Sequence, residues 1–297
     1  MKIVRFGTYL KKCFGERVQR VSLHAGLTCP NRDGSVGTGG CIYCDNGSFH
    51  PGLKEGISIS DQIIEGMARA TKRYGANKFL AYFQTFSNTY AEPATLRSLY
   101  QEALAFDQVV GLMIATRPDC IDAEIVRLLE EFSRHTMLWV ELGIQTMHDS
   151  TLQRLNRGHT RRQTEHAVHL LRKADSIHTA SHIILGLPDE SKQDMMQTAD
   201  WFRDLGIEAV KLHHLHAVRG TRLENMYRSG DWQPLKADEY IDLAAAFLRR
   251  QNDGLIIMRL VAECPDAVLV APRWPQSKME IENAIVSTLK DNGILTI

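Results

Sequence analysis

From Val18 onward, short apolar runs alternate with longer stretches whose apolar positions recur every three to four residues. The first pattern marks strands buried in a sheet, and the second marks helices with one face turned to a core. Residues 18–25 alternate and predict a strand. Ser60 stands where it can cap a helix over 61–74, which puts Ile63, Ile64 and Met67 on one face. Residues 79–86 predict a second strand, and Pro93 opens a helix to about residue 105, where its missing N–H costs nothing. The series continues with strand 111–116, a helix capped by Asp122 and running through Phe132, strand 137–146 and a helix from Thr160 through Ala174. Strand 179–187, helix 191–205 and strand 209–217 complete it.

Six βα units in a row predict the α/β class, with right-handed crossovers making a curved parallel sheet and helices outside. The expected architecture is a partial (β/α)6 TIM-like barrel over residues 1–217, including a basic N-terminal segment and a cysteine loop at 26–56. After Ala217 the pattern changes: a loop with Gly220 and Gly230, a helix at 237–250, a strand at 255–261, a Pro-rich loop and a helix at Lys278–Asp291. We read 218–297 as a small α+β extension packed on the barrel.

Three cysteines in the loop after the first strand, Cys29, Cys41 and Cys44, have the spacing C-x11-C-x2-C. Thiolates are soft ligands suited to zinc or iron–sulfur clusters. Three are one short of a closed tetrahedral zinc site, and Cys13, His24 or His50 could supply a fourth ligand. Three thiolates on a cubic cluster instead leave one iron free for another molecule. In a barrel, this loop lies at the C-terminal ends of the strands, where reactive groups collect. Polar residues end or interrupt other strands at the same level: Gln84 and Thr85, Thr116 and Arg117, Gln145 and Thr146, His182, then Lys211, His213, His214 and His216. Alternation puts Lys211 and His213 on one face. Burying such groups without partners costs roughly 1–3 kcal/mol each, so as a set they predict a polar ligand inside the barrel.

The 35 basic and 35 acidic side chains cancel, which removes any general affinity for polyanions. Basic residues do cluster at 1–20 and from Arg154 to Lys173, as a solvated face or as a phosphate-tracking surface. No apolar run reaches the roughly 20 residues that span a bilayer. The first residues lack the apolar stretch of a signal peptide, and six sparse cysteines are not a disulfide scaffold, so the expectation is a cytoplasmic protein without membrane contact.

The cysteine loop at the head of six βα units resembles that of radical S-adenosylmethionine (SAM) enzymes. The resemblance implies a [4Fe–4S] cluster on Cys29, Cys41 and Cys44, with SAM chelating the fourth iron and cleaved reductively to a 5′-deoxyadenosyl radical. It places Tyr43 near the SAM adenine. The stretch 141–146, Glu-Leu-Gly-Ile-Gln-Thr, is similar to a motif of the subgroup containing coproporphyrinogen dehydrogenases and the Elongator catalytic subunit. That likeness implies Gln145 near the ribose and Arg157 aimed at the SAM carboxylate. Residues 182–188, ending Gly-Leu-Pro, match the fifth-strand motif, with His182 where a ribose-binding acid is usual. Gln84 completes the expected cofactor-binding set. Over the whole chain the sequence resembles the YhcC/YtqA family, with departures at Ala262-Glu263, where a glycine–acid pair is usual, and at Asp189, where glycine usually follows the Gly-Leu-Pro. Likeness to Elongator-type enzymes implies chemistry at C5 of a tRNA wobble uridine, with an electron donor such as flavodoxin or ferredoxin. A radical SAM reaction on a small metabolite or protein, and a zinc-dependent RNA-binding module, stand as alternatives. Lys211 and His213 are the candidate catalytic residues, without an assigned role.

Overall fold

The computed structural model describes residues 2–45, 56–291 and 293–296. Its first two elements were not legible in the patterning: Lys2–Arg5 is strand β1 and Phe6–Phe14 is helix α1. The six expected strands form as β2 (Val18–Leu23), β3 (Lys78–Phe83), β4 (Val109–Thr116), β5 (Met137–Gln145), β6 (Ile177–Leu185) and β7 (Ala209–His214). The connecting helices are α2 (Ile59–Tyr74), α3 (Pro93–Leu104), α4 (Ala123–Ser133), a short α5 (Asp149–Arg154), α6 (Arg161–Arg172) and α7 (Lys192–Leu205). The caps at Asp122 and Thr160 accept backbone N–H bonds as expected, and Ser191 caps α7 in the same way. The α2 cap is Ser58 rather than Ser60, because Ser58 accepts from Asp61 while Ser60 bonds Glu102.

After β7 the chain makes a two-residue strand β8 (Ala217–Val218), α8 (Arg222–Ser229), α9 (Ala237–Arg249), β9 (Ile256–Arg259), β10 (Leu269–Ala271), α10 (Lys278–Asp291) and β11 (Leu295–Thr296). The sheet order is β11-β1-β9-β7-β6-β5-β4-β3-β2, and every pairing in it is parallel. The α/β partial barrel is therefore present, and β9, expected in the extension, pairs with β7 in the barrel sheet. β8 and β10 form a separate antiparallel pair. Among the described residues no helix is long and apolar enough to cross a membrane.

Strand alternation sorts side chains between two layers. From β5, Leu138, Val140, Leu142 and Ile144 join the core between sheet and helices, whereas Trp139 points into the barrel. There it packs with Phe6 and Leu10 of α1, Leu80, Met113, Ala180, Ala209 and Ile256. The Phe6 and Trp139 rings meet edge to face at 5.5 Å, an arrangement worth about 0.5–1.5 kcal/mol beyond area burial. Helix α1 thus plugs the N-terminal end of the barrel, and the other end is left to the polar residues.

Candidate active site

Three levels stack along the inner face. Above the apolar plug lies a buried polar level: Tyr82 from β3, Glu141 from β5, His182 from β6 and Lys211 from β7. Tyr82 Oη donates to Glu141 Oε2 at 2.7 Å, Lys211 Nζ lies 2.5 Å from the same oxygen and 2.8 Å from Tyr82 Oη, and His182 Nε2 lies 3.1 Å from Glu141. Glu141 and Lys211 are 0% and 1% exposed. Burial opposes the Glu141 charge, but Lys211 and the His182 hydrogen bond overcome it and hold the carboxyl well below the usual carboxylate range. Burial draws the Lys211 ammonium down to about 7, against the attraction of Glu141. Burial also keeps His182 neutral, so Nε2–H donates to Glu141 and Nδ1 is left as an acceptor.

The next level is a cavity of about 610 Å³ lined by Tyr43, Gln84, Gln145, Arg157, His182 and His213 among others. Every residue expected to bind cofactor is in that wall. Lys211 is not; it supports the floor through Glu141, whereas His213 faces the space. The Nε2 of His213 is buried without a hydrogen-bond partner among the described residues, and burial with nearby cations holds the ring neutral. His214 also lines the cavity, and its ring packs against Tyr240 and Trp274.

A second cavity of about 160 Å³ adjoins the first, sharing Ala115, Gln145, Arg157 and His182, and is lined by Cys29, Cys41 and Cys44. The thiols stand around a space rather than a point: among the described residues no three His, Cys, Asp or Glu side chains are placed to hold a single ion. Arg157 Nη1 lies 3.3 Å from Cys41 Sγ while Nη2 donates to the Gly143 carbonyl at 2.7 Å. Arg117 Nη1 lies 3.9 Å from Cys29 Sγ, and Asn31 Nδ2 lies 3.8 Å from Cys41 Sγ. A Cβ at Gly143 would meet Arg157 Nη2 and Gln145 Nε2 at 3.0 Å, so glycine lets both side chains cross the strand. Burial and Cys41 push the Cys44 thiol up to about 11, so a metal must displace that proton for thiolate ligation. Of the other ligand candidates, Cys13 sits on the plug helix at the opposite end, His24 bonds Thr85 and stacks on Phe86, and His50 lies outside the described residues.

Gln145 has φ of +73°, and β5 shifts register against β6 just before it. A non-glycine residue there costs roughly 1–2 kcal/mol, strain of the kind stored at functional positions. Gln145→Gly is expected to raise the unfolding free energy of the apoprotein by about 1 kcal/mol while weakening SAM binding. Urea melts and SAM titration measure the two effects; tighter or equal SAM binding refutes a role for the side chain.

Residues 32–202 match the family described as the Radical SAM superfamily, and residues 207–291 match its Radical_SAM C-terminal domain. The chain belongs to the radical SAM superfamily. It is 37% identical to the uncharacterized protein YtqA of Bacillus subtilis over 288 residues, 96% of this chain and 88% of that one. It is 28% identical to the tRNA uridine(34) acetyltransferase of Methanocaldococcus jannaschii over 165 residues, 54% of this chain and 30% of that relative. The fold is similar to that of Methanocaldococcus infernus Elp3 with an N-terminal deletion, at a TM-score of 0.71 and 17% identity, covering 93% of this chain and 63% of that one.

As a radical SAM enzyme the protein uses a [4Fe–4S] cluster and SAM. The site fits both. Three thiols around one small cavity suit a polynuclear cluster, and the Arg157 guanidinium, which has no carboxylate partner among the described residues, is placed to offset negative charge that thiolate ligation creates, whereas Arg117 is already paired with Asp119 at 2.7 Å. Arg157 Nε and the His213 nitrogen, buried and without a partner among the described residues, are unmet polar groups of the kind a polar ligand satisfies. Asp189, which follows the Gly-Leu-Pro, has φ of +65° and pairs with Arg154 at 2.8 Å. That backbone conformation is one glycine adopts at no steric cost. The polar floor, by contrast, was not predicted as a unit. A lone acid in β5 and a lone lysine in β7, each inside an apolar run, were the available signal.

Proposed function

We propose that this radical SAM enzyme modifies the C5 side chain of a tRNA wobble uridine. The observation that carries the substrate is the likeness to a tRNA uridine(34) acetyltransferase over 165 residues. Only 30% of that relative is matched, so the reading extends to the target uridine and not to acetyl transfer. Cys29, Cys41 and Cys44 hold the cluster, Arg157 takes the SAM carboxylate, Gln145 and His182 take the ribose, Tyr43 flanks the adenine and Gln84 closes the opposite wall. His182 serves in place of an acid because Glu141 fixes its tautomer with an acceptor free. The cluster that Cys29, Cys41 and Cys44 would hold would supply one-electron reduction of SAM, with a flavodoxin- or ferredoxin-class protein as the electron source, and so the hydrogen-abstracting power of the adenosyl group. The protein's share is a walled cavity that excludes water from that chemistry.

Part of the charge in the two basic stretches is engaged within the chain. Arg154 pairs with Asp189, Arg161 with Glu165 and Arg5 with Glu282, and Arg172 donates to the Leu205 carbonyl. A base turned out of its stack into the histidine-lined cavity is the better reading. Cells lacking the protein should accumulate an incompletely modified wobble uridine, read by mass spectrometry of tRNA nucleosides. An unchanged profile moves the substrate elsewhere.

A further inference from the structure

Inside the barrel, Arg20 and Arg259, like Arg157, have no carboxylate partner among the described residues. Arg20 comes from β2 and Arg259 from the end of β9, opposite ends of the run β9-β7-β6-β5-β4-β3-β2. Curling of the sheet turns both toward the side of the barrel where Tyr82 stands. Arg259 lines the large cavity with Tyr82, Gln84, His213 and Glu263. The Arg20 Cζ lies 5.8 Å from the centre of the Tyr82 ring, and its Nη1 is buried without a hydrogen-bond partner among the described residues.

The neighbouring charges are committed elsewhere. Lys211 is matched by Glu141 at 2.5 Å, Glu263 by Lys278 at 2.9 Å, and Arg157 turns to Cys41 at 3.3 Å. The nearby rings of His182, His213 and His216 are pushed toward neutrality by burial, with Arg259 adding to the effect. The charges left without a carboxylate partner here, among the described residues, are those of Arg259 in the cavity wall and of Arg20 behind Tyr82. A partly buried guanidinium with an unmet donor is costly, and its planar fork matches the two oxygens of a carboxylate or phosphate.

We propose that Arg20 and Arg259 form an oxyanion subsite in the cavity wall that holds a carboxylate or phosphate group of the substrate. The proposal rests on the reading of this cavity as the place where substrate meets SAM. For a wobble uridine, the anion is either a carboxylate on the C5 substituent or a backbone phosphate.

The test titrates reconstituted, SAM-loaded holoenzyme with malonate and with inorganic phosphate by calorimetry. It compares wild type with Arg20→Gln, Arg259→Gln, Arg259→Lys and, on the exposed surface of α1, Lys12→Gln. Wild type and Lys12→Gln should bind saturably. Either glutamine variant should bind about tenfold or more weakly, Arg259→Lys should recover part of the loss, and iron and sulfide content should match throughout. Absence of saturable binding by wild type, or wild-type affinity in both glutamine variants, overturns the subsite. Dephosphorylated tRNA nucleosides from cells carrying Arg259→Gln identify the source. An accumulating precursor with an acidic side chain indicates the carboxylate, and one with an uncharged side chain indicates the phosphate. If deleting the gene leaves wobble nucleosides unchanged, the tRNA reading falls while the titration still decides the subsite.

Discussion

Cys41→Ala should leave a folded protein that forms no stable [4Fe–4S] cluster and yields 5′-deoxyadenosine only at background level. Cys41 is the most enclosed of the three thiols, 7% exposed, with Arg157 and Asn31 on its sulfur. Removing it takes away one of three anchors and leaves the Arg157 guanidinium facing a void where a thiolate would balance it. Cys29→Ala and Cys44→Ala should behave alike, since each lines the same small cavity. Cys13→Ala should not, because that thiol is exposed on the helix that plugs the other end of the barrel. Anaerobic reconstitution followed by iron and sulfide analysis, visible absorbance and chromatography of SAM products reads all four variants. Full SAM cleavage by Cys41→Ala would sink the cluster assignment. So would a Cys13→Ala protein that fails to take up iron.

The cysteines were legible because their chemistry is written in local spacing, and the six βα units because hydrophobic period is local too. What escaped was set by distant partners. Helix α1 carries Phe6, Tyr9 and Leu10 at helical spacing, but the stretch is short, Lys11 and Lys12 follow at once, and no capping side chain announces the start. Only the open end of a barrel explains why those rings are buried. Strand β9 reads as a strand in the sequence, yet its place between β1 and β7 depends on pairings across almost the whole chain. The site shows the same division. Gln145, Arg157 and His182 were placed by motif, and all three line both cavities. Arg20 and Arg259 meet only because the sheet curls, which no periodicity encodes. The strand ends differ for a local reason: Thr85 and Phe86 adopt left-handed φ values of +62° and +61°, which stops β3 at Phe83 rather than residue 86.

Lys211→Met should be among the most destabilising single changes in the molecule, although it removes a flexible side chain and adds an apolar one. The Glu141 carboxylate it leaves behind is 0% exposed, its Oε1 already lacks a partner, and Tyr82 and His182 would be its sole remaining donors among the described residues. Breaking a buried ion pair by deleting one member costs about 3–5 kcal/mol, whereas replacing both members with well-packed neutral groups is often close to neutral. Lys211→Met is therefore expected to lose about 3–5 kcal/mol of unfolding free energy, and Glu141→Gln/Lys211→Met to recover most of it. Urea denaturation of the apoproteins measures both without reference to catalysis. The same pair separates two roles for Lys211. Because Lys211 lies under the cavity and bonds Glu141 rather than facing the ligand space, its structural role predicts that the double variant, once stable, still binds SAM with His182 less firmly oriented. A double variant as unstable as the single one would mean that the lysine does something the Glu141 charge does not explain.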